Sequence, residues 1–283
     1  MSNDWLGGLL SPWALGLLGL CIGSFLNVVI HRLPQMMERA WKLESAELLG
    51  VDVPETPALT LSRPASRCPQ CGHRIRWFEN VPLVSWLILR GRCSACKTPI
   101  AVRYPLIELS TGVLFALLIW RFGAQPVVLA WCGFVAALIA LSGIDWDTTL
   151  LPDSLTQPLL WAGLLAAAAG WTVPLPTALG GAVGGYLALW SVYWLFKLTT
   201  GKEGMGAGDF KLLAALGAWL GWQMLLPIVL GASLIGAAVG IVMKFSGALR
   251  EGRYVPFGPF LAGAGLVVLF AGPERVTGWL GWN

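Results

Sequence analysis

The chain has 283 residues, 56% of them hydrophobic and 12% charged, whereas a soluble domain carries roughly 25% charged residues. That balance excludes an ordinary soluble domain. The formal net charge of +4 says little as a sum, so the placement of charges carries the information, and no nucleic-acid partner is expected.

The first apolar run, Trp5 to Ile30, contains no Asp, Glu, Lys or Arg. It follows an uncharged or acidic start and is too long for a signal-peptide core, so it reads as a retained span. Further charge-free runs cover Phe122 to Ile144, Ser154 to Phe196, Leu212 to Met243 and Tyr254 to Pro273, several of them reaching the roughly 20 residues that cross a bilayer as helix. Sixteen Trp and thirty-five Gly fit the same class. The expectation is an all-α polytopic membrane protein with about eight transmembrane helices, near 7–30, 104–120, 124–144, 155–171, 177–197, 210–226, 228–244 and 256–272. Trp171-Thr-Val-Pro-Leu-Pro supplies one turn, with Gly221 and Pro227 marking another, because Pro ends helices.

Eleven of the nineteen Lys and Arg lie between His31 and Tyr104, which makes that loop cytoplasmic by the positive-inside rule. Lys197, Lys202, Lys211, Lys244, Arg250 and Arg253 then lie inside as well, and both termini fall on the far side. The expected organisation is a first transmembrane helix (1–30), a cytoplasmic domain (31–103) and a seven-helix membrane domain (104–283).

The cytoplasmic domain holds Cys68-Pro-Gln-Cys71 and Cys93-Ser-Ala-Cys96. Two CxxC pairs at this separation have the spacing of a zinc ribbon, in which four thiolates close a tetrahedral and therefore structural site. Two disulfides or four unrelated thiols are the alternatives, and a reducing cytoplasm argues against disulfides. A small loop with few apolar residues, Trp77 and Trp86 among them, also needs a metal staple to fold. Cys21 and Cys132 lie inside spans and read as buried small hydrophobes.

Two acidic clusters close or open spans: Asp145-Trp-Asp147 through Leu151-Pro-Asp153, and Gly206-Ala-Gly208-Asp209-Phe-Lys211. Ionisable groups at such depths are costly and usually functional. Two carboxylates in a partly dry site share a proton, one acting as base on water and the other as acid on a carbonyl. His31 and His73 are the only histidines, and neither lies near these clusters. An ion-coupled transporter, or a zinc-ribbon scaffold with Asp residues only capping helices, stays open at this point. Against the transporter, the acids sit at one face and no repeat is evident.

Gly206-Ala-Gly208-Asp209 resembles the GxGD signature of the type IV prepilin peptidases. The blocks Gly23-Ser-Phe-Leu-Asn-Val-Val-Ile-His-Arg-Leu-Pro34, the paired CxxC motifs, Arg103-Tyr-Pro-Leu-Ile-Glu108, Leu151-Pro-Asp153 and Pro256-Phe-Gly-Pro259 follow in family order. The resemblance implies a multi-pass enzyme of the bacterial inner membrane, with periplasmic termini. It would cut the leader from prepilins and type II secretion pseudopilins, then N-methylate the new terminus with S-adenosylmethionine. Carried over, the catalytic pair is Asp145 and Asp209, with Asp147 as rival for the first role, and Cys68, Cys71, Cys93 and Cys96 hold structural zinc. The donor site is expected on the cytoplasmic loop with Gly23 to Pro34. Asp153 is a candidate helix cap, and Glu108 a functional polar group of unassigned role. Glu38, Glu44, Glu47 or Glu55 could receive a basic leader.

Overall fold

The first helix, α1 (Pro12–Leu49), starts where Ser11 caps it by accepting the Ala14 N–H at 3.2 Å, with Pro12 in the first turn where its missing N–H costs nothing. The computed structural model describes residues 10–52, 59–246, 255–279 and 281. Glu55, Arg250, Arg253, positions 7–9 of the first expected span and both chain ends lie outside the described residues. The described residues are helical apart from loops and two isolated antiparallel bridges, Arg67 with Arg74 and Arg92 with Pro99. Two units, 1–140 and 141–283, are taken in turn.

In the first unit the expected span ending at Ile30 lies within α1, but the helix does not stop there. It continues to Leu49 and closes at Gly50. Met36 to Leu49 is rich in Met, Glu, Ala, Lys and Leu, all good helix formers; Pro34 forgoes only the bond to the Ile30 carbonyl and lies buried inside the helix. One face of α1, including Gly19, Gly23, Leu26 and Asn27, is buried. It packs on α3 (Arg103–Phe122), whose buried face includes Glu108, Thr111, Gly112 and Phe115. Between them, α2 (Val84–Ile88) follows a 3₁₀ turn at Trp77–Asn80. Cys21 departs from its expected burial: it is exposed on the face that presents Leu17, Leu18 and Phe25. A small thiol is as apolar a surface for lipid as for core. Cys132 in α4 (Val127–Thr148) is buried.

The second unit takes the end of α4 and α5 (Asp153–Ala168), α6 (Leu175–Thr200), α7 (Ala207–Leu220), α8 (Leu225–Phe245), α9 (Gly258–Ala271) and α10 (Pro273–Trp279). Helix α7 is its core: from Asp209 to Leu220 every residue but Lys211 is buried. Helix α6 crosses it backbone to backbone, since a Cβ on Gly181 would collide with the Gly217 carbonyl and one on Gly217 with that of Gly181. The Trp219 indole N–H donates to the Leu159 carbonyl at 2.8 Å and ties α7 to α5. The turn before Leu175 ends on Pro174 as its composition suggests. Gly221, at φ 88°, ends α7, whereas Pro227 sits inside the first turn of α8, where proline is tolerated.

Five helical segments among the described residues are long and apolar enough to cross a membrane: α1, α3, α4, α6 and Trp222–Phe245. The pair α9–α10, bent by 102°, makes up to six. The remaining expected spans correspond to the 16-residue α5 and the 14-residue α7. Fourteen residues reach about 21 Å, short of a hydrocarbon core of about 30 Å. The apolar content of α7 goes instead into burial against its neighbours.

Candidate active site and four-cysteine cluster

The second unit brings Asp145 and Asp209 together. Asp145 lies in the last turn of α4 and Asp209 in the first turn of α7. Both are buried, at 4% and 8% exposure, and their carboxylates lie within Coulombic reach of each other. Asp147 is exposed. That difference follows from helix geometry, since two positions along a helix turn a side chain by about 200°.

Asp145 Oδ2 accepts the backbone N–H of Gly258 at 2.9 Å. A Cβ on Gly258 would lie 2.6 Å from that oxygen, so the carboxylate can reach the α9 backbone only because the residue there is glycine. Asp209 Oδ1 is buried and has no hydrogen-bond partner among the described residues. Gly208 lets the α7 terminus approach Leu151, whose Cβ would lie 2.7 Å from an added methyl. The two glycine-bearing segments therefore press on the same acidic corner.

Asp153 does not cap α5. Pro152 takes the cap position, without side-chain bonding, and Asp153 is the first helical residue. Its two oxygens accept from Lys211 Nζ at 2.6 and 2.8 Å, because Lys211 is the one residue of the α7 core stretch left partly open. The loop into α7 is held by Lys197 Nζ, which donates to Glu203 Oε1 at 2.9 Å and to the Tyr193 hydroxyl at 3.1 Å. Phe210 packs against the rings of Tyr186 and Tyr193. Lys211 and Gly258 lie inside motifs whose sequence alone assigns them no task in the site. Their signal was position alone, two residues after one acid and within a Pro-Phe-Gly-Pro block.

In the first unit the Sγ atoms of Cys68, Cys71, Cys93 and Cys96 all lie within 4.8 Å of one another. Cys68 Sγ and Cys96 Sγ are 3.8 Å apart, far from the roughly 2.05 Å of a disulfide and close to the edge of about 3.8 Å of a tetrahedron with metal–sulfur bonds of about 2.3 Å. The set therefore fits a metal ion. Each knuckle is a tight backbone loop, with the Gly72 N–H bonded to the Cys68 carbonyl and the Lys97 N–H to that of Cys93. Glu79 accepts from the Arg76 N–H at 2.8 Å and meets His73 Nε2 at 3.3 Å. The Arg76 backbone N–H, then the Ser94 hydroxyl, then His73 hold its carboxyl down to about 2. Trp86 donates its indole N–H to the Ile100 carbonyl, while Trp77 is exposed and contributes nothing to a core.

Glu108 is buried at 9% exposure and accepts the Leu83 N–H at 2.8 Å, so it pins the cysteine-bearing segment to α3. Asn27 donates to the Tyr104 carbonyl at 3.1 Å. Glu38, Glu44 and Glu47 are carried on the extension of α1.

Residues 132–241 match the model of the type IV leader peptidase family, and residues 17–122 match the bacterial peptidase A24 N-terminal domain. The chain belongs to the type IV leader peptidase family. The segment matched to the N-terminal domain contains this chain's four clustered cysteines, and the segment matched to the peptidase contains both buried aspartates. Among curated relatives of this family, the protein named prepilin leader peptidase/N-methyltransferase from Pseudomonas putida is 54% identical over 257 residues, covering 91% of this chain and 89% of that one. Its namesake from Stutzerimonas stutzeri is 54% identical over 93% of this chain and 91% of its own. That from Aeromonas hydrophila is 51% identical with the same coverage. No solved structure matches the chain.

Proposed function

We propose that the chain cleaves the leader from prepilins and pseudopilins with an aspartate dyad, Asp145 and Asp209, and then N-methylates the new N-terminal residue. The observation that carries the first half is the pair of buried carboxylates within Coulombic reach. The names of close relatives support both halves.

With one carboxylate ionised and its partner protonated, the ionised one takes a proton from water as the water oxygen attacks the scissile carbonyl carbon. The partner's proton goes to the carbonyl oxygen. Collapse of the tetrahedral adduct breaks the C–N bond: the amine nitrogen takes the proton first lifted from water, one adduct hydroxyl returns its proton to the partner as the new carboxyl forms, and the pair is reset. Gly258 N–H fixes how Asp145 presents its carboxylate, and the unspent Oδ1 of Asp209 is available to water or to the partner. A pilin precursor's apolar segment would lie in the bilayer, which puts its scissile bond at the membrane face. The charge pattern supports a cytoplasmic loop at 31–103 and termini on the periplasmic side of the inner membrane.

Zinc is the ion proposed for Cys68, Cys71, Cys93 and Cys96; bound by four thiolates, it would staple the loop rather than act in the chemistry. S-adenosylmethionine would supply an electrophilic methyl group. Asn27 and Glu108, the buried polar groups beside its expected location, each hold a backbone group through one side-chain atom.

Purified protein incubated with a prepilin should yield a shortened product without S-adenosylmethionine and one about 14 Da heavier with it, by mass spectrometry, since a methyl group replacing a hydrogen adds about 14 Da. Asp145→Asn and Asp209→Asn should each abolish cleavage, by at least about 10³-fold, with Asp209→Asn still methylating a substrate supplied already cleaved. Substantial cleavage by either well-folded variant would sink the dyad.

A further inference from the structure

Between Thr60 and Arg103 the chain carries eight cations and a single acid, Glu79, and that acid is occupied by the Arg76 N–H and His73. Four thiolates around a divalent ion would leave two negative charges, which eight cations exceed. The surplus is not spread evenly. Arg90, Arg92 and Lys97 line one open cavity of about 410 Å³ together with Ile88 and Leu89. All three cations are exposed, and none has an acidic partner among the described residues.

The cavity is shaped by the fold. Arg90 and Lys97 hold left-handed backbone at φ 52° and 60°, an arrangement that side chains rarely adopt. The bridge between Arg92 and Pro99 brings the two arms of the second knuckle together. Beside the cations stand Leu87 and Ile88, 66% and 74% exposed, which is a large apolar surface for a helix of five residues. The Gly91 carbonyl accepts the Ile100 N–H at 2.7 Å, three residues before the start of α3 at Arg103. The cavity is thereby held close to the point where the chain enters a membrane-length helix.

Cations in a cleft beside protruding aliphatic side chains, at the mouth of a membrane helix, match a ligand that is anionic at one end and apolar at the other. We propose that this cavity seats the phosphate of an anionic phospholipid headgroup, with Leu87 and Ile88 entering the acyl boundary. The second knuckle then rests on the bilayer surface, and the site is independent of the aspartate pair and of any peptide substrate. A basic cleft repels a basic leader, so the leader is not its occupant.

Titration of the full chain in neutral detergent with short-chain phosphatidylglycerol, phosphatidylcholine or inorganic phosphate, read by native mass spectrometry, tests this. Phosphatidylglycerol should bind more tightly than phosphatidylcholine by roughly a hundredfold, at about fivefold per cation, and the preference should shrink as salt rises. Arg90→Gln/Arg92→Gln/Lys97→Gln should erase the preference, while Arg90→Lys/Arg92→Lys keeps most of it. Leu87→Ser/Ile88→Ser should weaken both lipids and leave their ratio intact. Equal binding of the two lipids by the unaltered chain would overturn the proposal, whatever the folding of any variant. So would a preference that survives the triple Gln change in a protein with its thiols still clustered, or inorganic phosphate competing at lipid-like concentrations, which would make the site one for a free anion.

Discussion

Asp145 is held from an element more than a hundred residues away: its Oδ2 takes the N–H of Gly258 across a separation of 113 positions. The contact leaves no room for a side chain at 258, so Gly258→Ala should push the carboxylate aside. A displacement of about 1 Å at a reacting group costs roughly a hundredfold; the expected outcome is a cleavage rate lowered by about that factor with membrane insertion unchanged. Single-turnover cleavage of a prepilin by the purified variant checks it, and a rate within twofold of the parent would show that Gly258 does not position the acid. At this scale much was legible in the sequence, because a carboxylate next to an apolar run is conspicuous by its cost. Which of Asp145 and Asp147 points inward became visible only with the helix phase. The pairing of Asp153 with Lys211 was hidden because it joins residues 58 positions apart, and nothing local distinguishes a helix cap from a partner in an ion pair.

Helix α7 has too little length to span a bilayer and nearly complete burial, which makes its packing the main determinant of where Asp209 sits. The Gly181–Gly217 crossing sets how closely α6 approaches it. Gly181→Leu should force the two helices apart at an overpacking cost of about 1–3 kcal/mol, seen as a lower midpoint of thermal unfolding in detergent, and should reduce cleavage because the first turn of α7 moves with the rest. An unchanged midpoint would mean that the crossing is looser than it looks. Apolar runs and prolines revealed that helices exist here and where they turn, for example at Pro174 and Gly221. They did not reveal length: α1 runs on past Ile30 because strong helix formers replace apolar residues without interrupting the backbone pattern, while α9 stops at Gly272 and bends into α10. Hydropathy reports the solvent of a segment, and helix propensity its continuity; the two part company at both places.

At the scale of the whole molecule, the chain combines two devices that its composition keeps apart: a four-cysteine segment with hardly any apolar core, and a helical unit built round the buried helix α7. Metal analysis of the purified protein should find about one zinc per chain. Removing one ligand with Cys71→Ser should release the metal and make the remaining thiols titratable, leaving the helical content of the membrane part intact by circular dichroism. Absence of zinc from a preparation with active peptidase would defeat the assignment. The uninterrupted first helix also sorts the charges it carries. At 1.5 Å per residue, Glu44 lies about 21 Å along the axis beyond Ile30, more than two screening lengths of about 8 Å at physiological salt. A negatively charged bilayer surface at the level of Ile30 would therefore exert almost no repulsion on the acidic far end of this helix. Its acids would stay open to a cationic chain segment, while Arg32 near its base is held by the Thr60 and Leu61 carbonyls.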